Sequence, residues 1–164
     1  MNLTDLQARA KRIKLLLTDC DGVLTDNGVY YSERGEEMKR FSIRDGMAVE
    51  RLRAVGVESG IMTGETSGSV QRRADKLRIT ELHLGIKDKP ARLHEIIART
   101  GLAAEEIAFI GDDTNDVEIL KLVGLAACPG DATSFARAVA DFHCETAGGH
   151  GCFREVAEFI IASQ

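Results

Sequence analysis

The sequence predicts an α/β fold, doubly wound around a mainly parallel sheet. Three observations carry that reading. Short apolar runs alternate with segments of helical periodicity, the pattern of a strand–helix–strand chain. Gly56, Gly101 and Gly124 each stand just past a helical segment, where a helix C-terminus favours glycine. The first apolar run, Ile13 to Leu17, has the length of a fully buried strand.

In chain order, strands are expected at 13–18, 57–62, 81–84, 107–110 and 125–127. Helices are expected at about 46–55, 67–78, 89–100, 116–122 and 132–139, with a last one from 153 to 162. One segment breaks the alternation. Residues 28–42 read as a β-hairpin, two short runs around the glycine-containing turn Glu33-Arg34-Gly35-Glu36. It follows the first strand and precedes the first expected helix. Ligands of open α/β sheets bind outside the carboxyl ends of the strands, so this hairpin would stand beside the site.

The chain has 164 residues, 44% of them hydrophobic and 29% charged, the make-up of one ordinary globular domain over 1–164. A domain near that size buries roughly 70% of its unfolded surface and needs no staples. A net charge of −5, no Trp and few other aromatics argue against nucleic-acid binding or a charged membrane surface. Cys20, Cys128, Cys144 and Cys152 show no zinc or C-x-x-C spacing and read as reduced thiols of a cytoplasmic protein. No signal-peptide pattern opens the sequence, and no apolar stretch approaches the ~20 residues of a membrane helix.

The chemistry starts at Asp19-Cys20-Asp21-Gly22-Val23-Leu24-Thr25, directly after the first strand. On an extended backbone Asp19 and Asp21 leave on one side and Cys20 on the other. Two close carboxylates repel unless a proton or a cation sits between them. The pair points to an Mg²⁺ site, an acid/nucleophile pair, or both. Three further polar clusters fall at expected strand ends: Thr63-Gly64, Lys89, and Gly111-Asp112-Asp113-Thr114-Asn115-Asp116. In a parallel sheet these ends share one edge, so clusters spread over roughly 100 residues meet in one crevice. Each suits phosphoryl transfer, which is mostly positioning and charge neutralisation. A carboxylate can attack phosphorus, a second can move the proton, hard oxygens can hold Mg²⁺, and a lysine and a hydroxyl can hold phosphoryl oxygens.

Asp-x-Asp-Gly-Val-Leu-Thr-Asp from Asp19, then Thr63-Gly64, Lys89 and Gly111-Asp112-Asp113-x-x-Asp116, resembles the haloacid dehalogenase superfamily of phosphatases over nearly the whole chain. The 30–41 hairpin, Asp45-Gly46 and the tail from Gly148 to Val156 resemble its small cap-less members. Those act on 3-deoxy-octulosonate 8-phosphate and on related nonulosonate 9-phosphates. The resemblance implies a Rossmann-like sheet with no cap domain. It implies Asp19 as nucleophile, Asp21 as general acid/base, and Thr63 and Lys89 as phosphoryl-binding groups. It implies Mg²⁺ held by Asp19, the Asp21 carbonyl and Asp112, with Asp113 and Asp116 orienting Lys89 or metal waters from one layer out. It further implies a homotetramer whose hairpins cover neighbouring sites.

Substrate choice is where the sequence departs. Octulosonate 8-phosphate phosphatases typically carry Arg after the Thr-Gly pair, and here Glu65 follows Gly64. The nonulosonate 9-phosphate members are similar in having Glu there and Lys eleven residues on, here Lys76. Helical spacing puts Val70, Ala74 and Leu77 on a core face and Arg72 and Lys76 opposite. The resemblance implies Gly64, Glu65 and Asp45 as substrate contacts, and its shared-site assembly implies that Arg72 and Lys76 reach a neighbour's site and bind the substrate carboxylate. Duller roles exist for several. Asp45 could cap the 46–55 helix, Glu65 could serve a helix dipole, and Arg72, Lys76 and Arg154 could be solvated surface. The four histidines show no ligand spacing, and Gly148-Gly149-His150-Gly151 lacks the strand–turn–helix context of a dinucleotide site.

Two other functions compete with an Mg²⁺-dependent phosphatase of a small phosphorylated sugar acid. A receiver-like signalling domain shares the aspartyl phosphate, acidic metal site, Thr and Lys, but puts its phosphorylated Asp on a middle strand without an acid two residues later. A non-catalytic oligomerising module would be expected to have lost one of Asp19, Asp21, Lys89 or Asp112, and all four are present.

Overall fold

The computed structural model describes residues 2–164. Met1, the first residue of the expected 1–164 domain, lies outside the described residues. The chain runs α1 (Leu3–Ala10), β1 (Leu15–Thr18), β2 (Tyr30–Ser32), β3 (Gly35–Met38), α2 (Ile43–Ala54), β4 (Glu58–Met62), α3 (Gly68–Leu77) and β5 (Glu81–His83). It continues through α4 (Lys89–Thr100), β6 (Ile107–Ile110), α5 (Val117–Leu120), β7 (Leu125–Cys128), α6 (Ser134–Arg137), β8 (Phe142–His143) and α7 (Cys152–Ser163). Six of the strands form one parallel sheet in the order β5-β4-β1-β6-β7-β8.

Alternation along the strands explains why helices lie on both faces. Leu16, Ala108 and Ile110 enter one core with Ala48 and Leu52 of α2, Val70 and Ala74 of α3 and Phe153, Val156 and Ile160 of α7. Leu15, Leu17, Ile107 and Phe109 enter the other with Leu93 and Ile96 of α4 and Ile119 of α5. Successive side chains point to opposite faces, so a strand covered on both sides must be apolar at every position. β1, β6 and β7 are buried throughout. Each fully buried Leu or Phe contributes about 1.5–3 kcal/mol of transfer free energy.

Several expectations need correction. The first expected helix begins at Ile43, not at 46, because Ser42 supplies the N-cap and its Oγ accepts from Arg44 N. The segment expected as a 116–122 helix opens as a 3₁₀ turn over Thr114–Asp116 before α5. Gly124 is not a left-handed helix terminator. Its N–H donates to Ala104 O and Ile107 O, both at 2.9 Å, and any Cβ would strike the Glu105 backbone. α1 and β8 were not expected. α1 buries only Ala10 completely and so lacks an apolar stripe, and β8 is two residues long.

The hairpin β2–β3 is shorter than 28–42, turning at Glu33-Arg34. It packs no core of its own, and Tyr30, Tyr31 and Met38 are 57, 72 and 58% exposed. A bare two-stranded hairpin is marginal in water. Here polar ties to the body hold it. Lys39 pairs with Asp21 and, at 3.3 Å, with Glu36, while Ser67 Oγ donates to Glu36 Oε1. Among the described residues no helix is long and apolar enough to cross a membrane.

Candidate active site

The strand order turns back between β1 and β6, and the crevice beyond their carboxyl ends is where open α/β sheets bind ligands. Asp19 follows β1 directly. Its N–H donates to Ile110 O at 2.9 Å, so the ladder to β6 holds the residue rigidly. Asp112 follows β6. Lys89 is the first residue of α4, whose start is set by Asp88, its Oδ1 accepting from Ala91 N at 2.9 Å, and by Pro90. The lysine is 2% exposed, and its ammonium lies 5.4 Å from the Phe109 ring centre.

That ammonium reaches Asp19 Oδ1 at 3.1 Å and Asp116 Oδ1 at 2.5 Å. Asp116 Oδ2 accepts from Asp112 N at 3.0 Å. Both oxygens of Asp116 are thus engaged in positioning Lys89 and the Asp112 loop. Carboxylate oxygens of Asp19, Asp112 and Asp116 all lie within 4.8 Å of one another. Three buried acids around one ammonium leave an excess of negative charge. Burial, and then the charge of Asp116, push Asp19 up to about 7 despite Lys89. Burial pushes Asp112 up to about 6, with the Asn27 amide opposing it. Burial pulls Lys89 down, but Asp19 and Asp116 outweigh it, and the net direction is up. The lysine keeps its proton, and the excess falls on Asp19. A divalent cation beside Asp19 and Asp112 would supply the missing positive charge, and hard oxygens suit Mg²⁺.

Asp21 lines the same cleft as Asp19, while Cys20 is fully buried in the core behind them. Thr63 and Gly64 close the far wall. Thr63 Oγ1 accepts from Glu65 N at 3.2 Å, and Thr63 O accepts from Ile86 N at 2.9 Å. Glu65 lines the cleft, exposed, 3.6 Å from Lys87 Nζ. Asp113 also lines it, its Oδ1 accepting from Thr114 N at 2.6 Å at the start of the 3₁₀ turn. Gly22, with φ +86°, sits where any Cβ would run into the Asp112 carboxylate.

Three of the expected substrate residues are not brought to this cleft within their own chain. Asp45 is buried at 3% exposure in the first turn of α2, and its Oδ1 accepts from Arg154 N at 2.9 Å in the first turn of α7. It does not cap its own helix. Arg72 and Lys76 are exposed on α3. Arg154 pairs with Glu158 at 2.5 Å on the surface of α7. The tail glycines have a steric reason. Gly149 N donates to Val23 O at 2.9 Å, and a Cβ on Gly148 would strike Gly22 O, so this loop braces the Asp21–Thr25 turn.

Sequence reasoning missed Asn27 and Lys39 and placed Asn115 in its acidic cluster without a role. Asn27 and Asn115 line the cleft, and Asn27 Nδ2 donates to Asp112 Oδ2 at 3.3 Å. Lys39, its side chain 1% exposed, meets Asp21. Nothing local to Asn27 pointed at Asp112, 85 residues away in sequence. A lysine on an expected surface strand gives no signal at all.

A family model for haloacid dehalogenase-like hydrolases matches residues 75–156. A 3-deoxy-D-manno-octulosonate 8-phosphate phosphatase of Yersinia pestis is 36% identical over 160 residues, spanning 98% of this chain and 86% of its own length. The protein of the same name from Escherichia coli K12 is 34% identical over 98% of this chain and 85% of its own. Among solved structures, that of the Moraxella catarrhalis enzyme with magnesium ion, phosphate ion and a KDO molecule has a TM-score of 0.96. It is 33% identical and covers 99% of this chain and 94% of that one. The cobalt-bound Haemophilus influenzae enzyme has a TM-score of 0.92 at 32% identity, over 95% of this chain and 91% of that one. On the acidic cleft and these relatives together, the chain belongs to the haloacid dehalogenase-like hydrolases and is a phosphoric monoester hydrolase.

Proposed function

We propose that this Mg²⁺-dependent phosphatase hydrolyses the phosphate monoester of a 3-deoxy sugar acid through an aspartyl phosphate on Asp19, with residues 1–164 working as one domain. The observation that carries the reading is the convergence of Asp19, Lys89, Asp116 and Asp112 at the β1–β6 edge, with Asp21 and Thr63 on the same cleft. An Asp19 oxygen attacks phosphorus, and the bond to the sugar oxygen breaks. Asp21 gives its proton to that leaving oxygen. Water then attacks the acyl phosphate, Asp21 takes a proton from it, and the Asp19 carboxylate leaves with inorganic phosphate released. Lys89 and Thr63 bind phosphoryl oxygens. Asp113 and Asp116 act from one layer out. Asp19, the Asp21 carbonyl and Asp112 would hold Mg²⁺, which neutralises charge developing on the transferring group.

The named relatives support the eight-carbon octulosonate 8-phosphate as substrate. A second reading, the nine-carbon nonulosonate 9-phosphate, rests on Glu65, a hydrogen-bond acceptor for sugar hydroxyls that faces the cleft. Homotetramer formation is supported by the exposed apolar side chains of the hairpin and the start of α2, Tyr30, Tyr31, Met38 and Ile43 among them. In that assembly Gly64 and Glu65 contact substrate from its own chain, and Arg72 and Lys76 bind the carboxylate from a neighbour. Asp45 contributes by bracing α7. A cytoplasmic location is supported by four buried free cysteines. The test is phosphate release with Mg²⁺ from both esters under kcat/KM conditions. A preference for the eight-carbon ester assigns the substrate to the relatives' class, and a preference for the nine-carbon ester assigns it to Glu65. Turnover of neither, beside an active small-ester control, removes the sugar-acid assignment.

A further inference from the structure

Asn27 is the one non-glycine residue lining the cleft, among those described, with a left-handed backbone. Its φ is +61°, in the left-handed region, and Arg78 is the only other non-glycine residue there among those described. Asn tolerates that conformation better than most residues because its short polar side chain finds local partners, but glycine is the default occupant. Asn27 is also exposed, so no core packing demands a side chain. A position that favours glycine and buries nothing, yet carries an amide, is explained by what the amide touches.

It touches Asp112. Asn27 Nδ2 donates to Asp112 Oδ2 at 3.3 Å. The same carboxylate is fenced by Gly22, where a Cβ would lie 2.7 Å from Asn27 Nδ2 and would also run into the Asp112 carboxylate. Asp112 N is tied to Asp116 and Asp112 O accepts from Thr133 N and Thr133 Oγ1, at 2.9 and 3.0 Å. The backbone of Asp112 is therefore fixed on every side, and the remaining freedom is rotation of the carboxylate. The amide is the one side-chain donor on that carboxylate among the described residues, and it engages Oδ2, leaving Oδ1 without a donor. We infer that Asn27 is a positioning residue for divalent-cation binding: its left-handed backbone aims an amide that locks the Asp112 carboxylate with one oxygen committed and the other presented to the ion. Groups one layer outside the ligands typically change metal affinity or activity 10–100-fold when mutated.

This rests on the Mg²⁺ site assigned to Asp19 and Asp112. The experiment is direct Mg²⁺ binding by calorimetry to the wild type, Asn27→Gly and Asn27→Ala, with Tm measured without added metal. Asn27→Gly removes the amide and relieves the backbone, so its Tm should equal or exceed that of the wild type while its Mg²⁺ dissociation constant rises about tenfold. Asn27→Ala loses the amide and keeps the unfavourable φ, so it should match Asn27→Gly in Mg²⁺ affinity and fall below it in Tm. Activity gives a second readout: the Mg²⁺ concentration for half-maximal rate should rise with little change in kcat at saturating Mg²⁺. Wild-type affinity in Asn27→Gly overturns the inference and leaves the metal site standing. Absence of Mg²⁺ binding by the wild type overturns both.

Discussion

Lys89 shows how one residue can be structural and catalytic at once. A lysine at 2% exposure survives only because Asp19 and Asp116 flank its ammonium. Removing one partner of a buried ion pair leaves uncompensated charge and costs about 3–5 kcal/mol. Lys89→Met should therefore lower stability by about that amount without added metal, and Mg²⁺ should restore part of it because the cation supplies charge to the same carboxylates. Thermal unfolding with and without Mg²⁺ checks this, and equal losses in both conditions would show that the lysine does not share its acids with the ion. The same variant should lose about 10²–10³ in kcat, the scale of removing one preorganised donor from a transition state. Lys89 was readable from sequence by its place between two motifs. Asp116 was expected to orient it through the family resemblance, and the direct contact with Asp19, 70 residues away in sequence, came only with the fold.

At the scale of elements, α2 and α7 are joined by a helix cap supplied across the interface. Gly151 precedes α7 and has no side chain to cap it, and Asp45 Oδ1 of α2 accepts from Arg154 N instead. Asp45→Ala should destabilise the fold by about 1 kcal/mol, the usual value of an N-cap, measured by urea unfolding. The remaining oxygen, Oδ2, has no partner among the described residues, and Ser59 Oγ, lining the same small cavity, has none either. Burial pushes Asp45 up to about 6, against the Arg154 N–H and the charge of Arg73. With the folded value above the unfolded one, the folded state binds the extra proton between about pH 4 and 6. The associated stability is present below pH 4 and is lost as pH rises through 6. Asp45→Asn, which keeps an acceptor but does not titrate, should flatten that part of the stability profile. An unchanged slope would assign it to other groups.

For the whole molecule, the proposed assembly makes each site from more than one chain. The cleft of a single chain is lined by Asp19, Asp21, Thr63 and Asp112, with Lys89 buried against Asp19, but Arg72 and Lys76 are exposed on α3. If they serve a neighbour, Lys76→Ala should raise the KM of the sugar-acid phosphate about tenfold, the value of a hydrogen bond to a charged group, with kcat little changed. Mixing subunits provides the sharper check. Asp19→Asn subunits have an intact Lys76, and Lys76→Ala subunits have an intact Asp19. Mixed assemblies should recover kcat/KM beyond the sum of the two parents, whereas a site built from one chain would show no recovery.

The sequence by itself determined the fold class, the carboxyl edge as the place of chemistry, and the acids, hydroxyl and lysine that meet there. These are legible because strand and helix periods are local, and because a parallel sheet sends every strand end to one side. It also identified the family through motifs whose order along the chain is itself informative. Only the tertiary structure decided which partners those residues take. Asp45 went to the foot of α7 because α2, capped by Ser42, starts at Ile43 and packs on that helix, Asn27 reached Asp112 because a left-handed turn aims it there, and Lys39 met Asp21 because the hairpin folds back over the first loop. Hydrogen bonds and ion pairs between residues distant in sequence depend on short distances in space, which no local pattern encodes.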